Sequence, residues 1–281
     1  MRGGGARGVT LPGVGYPNFP DKHAHDAIAE PAAFHRYWVD HGVLPAEHDA
    51  PHGVVLLYQA PLTDAVLAGR LGPVSPFAPG ARRSAFMRLH TFDDTDGRVG
   101  VIGGFGVGAP AATVIMEMMG ALGVRRFVGV GTAGALQPDL ETGAVIVCDR
   151  AVRDEGVSHH YLPPARWAHP TAGLTRRLCA ELGTAGCRPT TGAAWTIDAP
   201  YRETVAEARH YADEGVAVVE MEASALFTVA ECRGLEVASA FTVSDSLAGG
   251  EWSPQFNDPR VAQNLARMVP AAVATLLGAQ G

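Results

Sequence analysis

The chain has 281 residues, 47 % of them hydrophobic and 18 % charged, with a formal net charge of -7. That is apolar material enough for one large domain, and the acidic balance without any basic run argues against nucleic acid as a partner. No apolar stretch approaches the length of a membrane span, and Cys148, Cys179, Cys187 and Cys232 show no metal-ligand spacing, so a cytoplasmic protein with no membrane association and no metal is expected.

Residues 1–22, rich in glycine and proline, read as an irregular N-terminal arm ahead of one domain over 23–281. His23, His25 and His35 follow without forming a metal set. Gly53 to Gln59 is a short buried strand and Thr63 to Leu71 a helix. Ala85–Leu89 and Val99–Phe105 form a hairpin-like pair around Asp94-Thr-Asp-Gly97. Arg82, Arg83 and Arg88, three arginines within seven positions of an acidic chain, either bind an anion or pair with the protein's own carboxylates.

The organising stretch is 100–135. An apolar run reaches glycines at 103, 104, 106 and 108, a helical pattern spans Pro110 to Leu122, and a strand opening at Phe127 breaks into Gly131-Thr-Ala-Gly134. Glycine turns at the carboxyl ends of parallel strands let a ligand approach the backbone. The dinucleotide fingerprint is not met, because no acidic residue closes the second strand.

Gly143–Asp149 is the next strand, followed by a polar loop in which His159, His160 and Tyr161 could reach a sugar or base or simply stay solvated. Leu174–Leu182 is an amphipathic helix and Thr190–Trp195 a strand. Asp198, with Pro200 two residues on, reads as the cap of the next helix. Val216–Val219 is a buried strand ending at Glu220-Met-Glu222, before a helix over Ala223–Cys232. Val237–Val243 is a strand ending at Ser244-Asp245, and Asp258-Pro259 caps a last helix running to about Leu277. Strands alternating with helices predict an α/β fold with a sheet covered on both faces.

Three strand ends carry polar groups that a core would reject: Thr132, the Glu220/Met221/Glu222 cluster, and Asp245. A carboxylate directly after a buried apolar strand is costly unless it has a hydrogen-bonding task. Helix capping explains one of the three carboxylates readily and all three poorly, so a shared pocket is expected.

The ordered set Gly104-Phe-Gly-Val-Gly-Ala-Pro, Val130-Gly-Thr-Ala-Gly-Ala, Val219-Glu-Met-Glu-Ala-Ser-Ala-Leu and Thr242-Val-Ser-Asp-Ser resembles the purine nucleoside and uridine phosphorylase family. That family also contains the methylthioadenosine/adenosylhomocysteine nucleosidases, and the likeness covers roughly residues 53–278. It implies a single α/β domain whose central mixed sheet is partly barrel-like and flanked by helices. It also implies homo-oligomers, as dimers, trimers or hexamers, in which a neighbour completes the pocket.

Carried over by resemblance, Glu222 would bind the ribose hydroxyls with Met221 packed on the sugar. Thr132, with Glu220 and Gly106, would lie on the ribose and phosphate side. Asp245, next to Ser244, would give or share a proton with a purine leaving group, and its presence favours a purine-type base. Loss of an N-glycosidic bond puts positive charge on the ribose and negative charge on the base, so such a pair suits the reaction.

Departures from the pattern are equally informative. Gly129 stands where phosphorylases carry an arginine, and Tyr58-Gln-Ala-Pro-Leu-Thr63 replaces their first phosphate loop. The base-stacking phenylalanine after Asp198 is missing, leaving Trp195, Tyr201 and Phe105 as candidates for its place and Arg202 for base or anion recognition. The expected activity is phosphorolysis of a purine-type nucleoside with inorganic phosphate as co-substrate and no cofactor. Hydrolysis of adenosine-like or 5′-modified nucleosides, and non-catalytic nucleoside binding, are the alternatives.

Overall fold

A computed structural model describes residues 16–17, 19, 21–72 and 89–278. Arg82, Arg83, Arg88, the first arm of the expected hairpin up to residue 88 and most of the N-terminal arm lie outside them. In chain order the elements are α1 (Pro31–Asp40), β1 (Gly53–Leu57), α2 (Ala60–Arg70), β2 (Leu71–Gly72), β3 (Leu89–Phe92), β4 (Val99–Gly103), α3 (Ala109–Leu122), β5 (Arg126–Ala135) and β6 (Val145–Asp154). They continue with α4 (Ser158–Tyr161), β7 (Trp167–Ala168), α5 (Ala172–Thr184), β8 (Thr190–Ile197), α6 (Val205–Asp213), β9 (Val216–Glu220), α7 (Ala223–Arg233), β10 (Glu236–Ser246), β11 (Ser253–Pro254) and α8 (Pro259–Leu277).

All the strands belong to one mixed sheet. β1 lies between β4 and β5, parallel to both, while β3 pairs antiparallel with β4. Pairing follows the order β10, β6, β8, β9, β5, and β5 then also pairs with β10. Those five strands close on themselves, which makes the sheet a small barrel with an open extension through β1, β4, β3 and β2. Closure removes two sheet edges that would otherwise need cover.

Two apolar layers hold the sheet. Leu56, Phe127, Phe241 and Ile102 face Ile115, Met116 and Met119 of α3 and Leu226 and Phe227 of α7. Val55, Leu57, Val128 and Val130 point the other way, onto Leu174 and Leu178 of α5 and Met268, Ala272 and Leu276 of α8. Successive residues of β1 and β5 therefore serve opposite faces, and burial on both sides explains their unbroken apolar runs.

Two corrections to the sequence reading bear on the shape of the site. The expected turn at Gly131–Gly134 is strand, since β5 runs on to Ala135. Its glycines answer to neighbours instead of to chain reversal: a Cβ at Gly129 would stand 2.8 Å from the Tyr58 hydroxyl and 3.0 Å from Ser239 Oγ, and one at Gly131 would stand 2.9 Å from the Tyr58 ring. Tyr58 thus fills the space over β5. Gly129→Ala is expected to cost about 1–3 kcal/mol of stability, seen as a lower urea midpoint. Adding Tyr58→Phe, which removes the nearest atom, should recover part of it.

The second correction concerns Asp198, which caps no helix. A short 3₁₀ turn covers Pro200–Arg202, and α6 begins after Thr204, whose hydroxyl accepts from the Glu207 N–H while the Glu207 carboxylate accepts from the Thr204 N–H. That reciprocal capping box outcompetes a single aspartate cap. Asp198 accepts instead from the Gly156 N–H at 2.7 Å.

Candidate functional site

At the carboxyl ends of β1, β5, β9 and β10 a cavity of about 540 Å³ opens. Tyr58 and Gln59 follow β1, and Thr132 lies within β5. Glu220, Met221 and Glu222 come from the β9–α7 junction, and Ser244 and Asp245 from β10. Glu222 and Asp245 therefore line one cavity.

Glu220 and Glu222 have different tasks. One Glu220 oxygen accepts from the Glu222 and Ala223 N–H groups, both at 2.8 Å, and the other accepts from the Thr196 hydroxyl. Glu220 is thereby spent on the start of α7, where unpaired N–H groups and the helix dipole favour an anion. Glu222 accepts from the Gly108 N–H at 2.5 Å, a donor that the backbone presents because Gly108 has a φ of +96°. Burial pushes the carboxyls of both glutamates above the usual range. Burial first, and then the charge of Glu220 held by three donors beside it, push the Glu222 carboxyl up to about 8.

Asp245 is aimed by an irregularity in β10. Its pairing with β5 slips between Val243 and Asp245, a bulge that re-points the side chain, and Gly134 opposite leaves room: a Cβ there would come within 3.1 Å of Asp245 Oδ2. Oδ1 accepts from the Ser244 hydroxyl at 2.7 Å and Oδ2 from the Trp252 indole N–H at 2.9 Å. Trp252, Phe256, Tyr201, Val107 and Val205, all exposed, form an apolar rim.

Of the residues singled out in the sequence, Thr132, Glu220, Met221, Glu222, Tyr201, Ser244 and Asp245 line this cavity. Others go elsewhere. Trp195 is fully buried, its indole N–H bonded to Asp154 at 2.8 Å and its ring against Tyr211, so a large ring at a strand end became core. Phe105 packs edge-on against Tyr58 in the core. Arg202 and Gly106 are exposed and off the lining. His159 bonds the Arg153 carbonyl at 3.1 Å, and Tyr161 packs against the core beside Arg233. The loop around them is held by Arg153, which donates to Ser158, Leu162 and Pro163. Tyr16 and His23 bond His160 and the His159 carbonyl from outside the loop, and His159 Nδ1 is buried without a partner among the described residues.

The lining also contains groups that the sequence reading did not single out for the site: Glu203, Glu251, Trp252 and Phe256, together with Tyr58 and Gln59. Gln59 donates to the Thr132 hydroxyl at 3.0 Å, and its Oε1 is buried without a partner. Burial and the neighbouring charges of Asp245 and Glu207 push Glu203 up to about 7. Five carboxylates line the cavity, and among its described lining residues there is no Arg, Lys or His.

The sequence model described as "Phosphorylase superfamily" matches residues 65–274. The chain is 34% identical over 151 residues to a DeoD-type purine nucleoside phosphorylase of Bacillus cereus, covering 53% of this chain and 64% of that protein. To a guanosine phosphorylase of Halorubrum lacusprofundi it is 28% identical over 174 residues, covering 62% of this chain and 72% of that one. The chain thus spans just under two thirds of the length of the DeoD-type relative. In architecture it is similar to a purine nucleoside phosphorylase of Toxoplasma gondii in complex with immucillin-H, with a TM-score of 0.66 over 82% of this chain and 91% of that one, at 19% identity.

Proposed function

Because the chain belongs to the phosphorylase superfamily, we propose that it cleaves the N-glycosidic bond of a purine-type nucleoside by phosphorolysis, releasing base and ribose 1-phosphate. The observation that carries this reading is the convergence of Glu222 and Asp245 on one cavity. The similarity to DeoD-type purine nucleoside phosphorylases supports it.

Glu222 accepts from the sugar hydroxyls, and its charge grows in value as the ribose becomes cationic. The carboxylates around Asp245 serve the departing base, and the aromatic rim of Tyr201, Trp252 and Phe256 offers faces for it to stack on. Thr132, held by Gln59, faces the nucleophile. Phosphate is the co-substrate, and its cations come from Arg82, Arg83 and Arg88 or from a neighbouring copy in a homo-oligomer. Among the described residues no helix is long and apolar enough to cross a membrane.

Hydrolysis is the second reading, and the absence of any cation among the described lining residues favours it. A phosphate dianion entering among these acidic side chains without a countercharge is repelled by those that are ionised. The Thr132 hydroxyl on the lining, which accepts from Gln59 Nε2, would bind an attacking water. Incubation with purine nucleosides, with and without phosphate, separates the two. Phosphorolysis predicts base release and ribose 1-phosphate only when phosphate is present; equal release without phosphate would replace it with hydrolysis.

A further inference from the structure

We propose that Glu203 is the acid that protonates the departing base, a role the sequence pattern would assign to Asp245; this rests on the nucleoside-cleavage reading above. Glu203 lines the same cavity as Asp245 and Glu222, at the turn where the chain enters α6. It is half-buried, and among the described residues no hydrogen bond or ion pair engages it. Helix capping does not occupy it either, since the capping box is made by Thr204 and Glu207. A partly buried carboxyl without a protein partner, facing a ligand cavity, is available to the ligand.

Asp245 is differently placed. Both of its oxygens already accept, one from the Ser244 hydroxyl and the other from the Trp252 indole, which can only donate. These two donors fix the Asp245 carboxyl in place, whereas Glu203 has no protein partner among the described residues. The charged and titratable groups around Glu203 are Asp245 on β10, Glu207 on α6, Glu251 beyond β10, Glu220 and Glu222 before α7, and Tyr58 and Tyr201 on the lining. Arg202 precedes it in the chain, and Arg209 of α6 reaches Gly250 on the same lining. Burial first, then Asp245 and Glu207, retain a proton on Glu203 up to about pH 7. A carboxyl still protonated near neutrality suits a general acid.

In the step proposed, the C1′–N bond breaks with its electron pair leaving on the base. The Glu203 proton moves to a ring nitrogen of that base, and a bond forms from C1′ to an oxygen of phosphate or water. Solvent then returns a proton to Glu203, balancing the one that the nucleophile gives up. Asp245 contributes by keeping the proton on its neighbour and by accepting from N–H groups of the base.

The test uses the full chain, an unmodified purine nucleoside and 7-methylguanosine, whose base is already cationic and leaves without being protonated. Glu203→Gln is expected to lower kcat on the unmodified nucleoside by about 10²-fold and to abolish the fall in kcat as pH rises through about 7, while affecting 7-methylguanosine far less. Glu203→Asp, which keeps an acid, should recover part of the rate. Equal loss on both substrates would make Glu203 structural and overturn the assignment. So would a wild-type rate and pH profile in Glu203→Gln, or a pH limb that disappears in Asp245→Asn instead. If wild-type protein releases base from neither nucleoside, the nucleoside-cleavage reading fails and takes this assignment with it; the variant results, by contrast, bear on Glu203 alone.

Discussion

Glu222→Gln is expected to lower kcat/KM by about 10²-fold while making the empty protein more stable at alkaline pH. The catalytic loss follows because glutamine cannot ionise as the ribose becomes cationic, whereas Glu222 can give up its proton and accept from two sugar hydroxyls as a carboxylate. Hydrogen bonds to a charged acceptor contribute about 1.5–3 kcal/mol and those to a neutral one about half of that, so two weakened bonds amount to roughly 2–3 kcal/mol. The stability gain has an electrostatic origin. Glu222 is buried beside Glu220, and its carboxyl is held above the value of 4.5 that an exposed glutamate shows.

A raised folded-state value stabilises the protein fully below the unfolded value, and that contribution is lost as pH rises through the folded one. The wild-type protein should therefore weaken between about pH 5 and pH 8.5, whereas the glutamine variant, with nothing to ionise there, should not. Thermal midpoints should nearly coincide at the acid end and differ by a few degrees at the alkaline end. Coincidence across the whole range would mean that Glu222 is not held protonated in the empty cavity.

Glu220→Ala should do the reverse, damaging the fold before the chemistry. It strands three buried donors at once: the Glu222 and Ala223 N–H groups and the Thr196 hydroxyl. An unsatisfied buried donor costs about 1–3 kcal/mol, offset in part by no longer burying a charge, so the net loss is on the order of 3–5 kcal/mol. That is a large share of the roughly 5–15 kcal/mol by which a domain is stable. Urea denaturation should show the lower midpoint directly. Glu220→Gln, which keeps one acceptor oxygen, should lose less. A midpoint unchanged in both variants would mean that the start of α7 does not depend on this side chain.

The contrast between these two glutamates shows how far the sequence could be read. Two carboxylates flanking Met221 after an apolar strand announce that something at this junction needs acceptors. Nothing in their order says which of them caps the helix and which faces the cavity. The structure divides the labour through Thr196, which arrives from β8 to bind Glu220, and Gly108, which arrives from the β4–α3 loop to bind Glu222. The place of Trp195 is hidden in the sequence for a related reason. An aromatic at a strand end serves equally well in a pocket or in a core, and only the packing of Tyr211 against it decides. Glu203 carried no signal at all, because a glutamate ahead of a helix is ordinarily a cap or a solvated residue.

Taken alone, the amino-acid order determined what repeats along the chain: apolar runs buried on both faces, helices between them, glycines where backbone or ring must approach closely, and acidic groups at the ends of β9 and β10. These are local properties, set by side-chain volume, polarity and period, and they suffice to specify an α/β sheet with polar groups gathered at its carboxyl edge. Tertiary structure decided the rest. Closure of β5 onto β10 brings Thr132 and Asp245 to one cavity, a slip in pairing turns Asp245 inward, and Tyr58 takes the space above Gly129. Each depends on atoms distant in sequence meeting at a few ångströms. Hydrogen-bond partners and local charge act over that distance, and chain position does not record it.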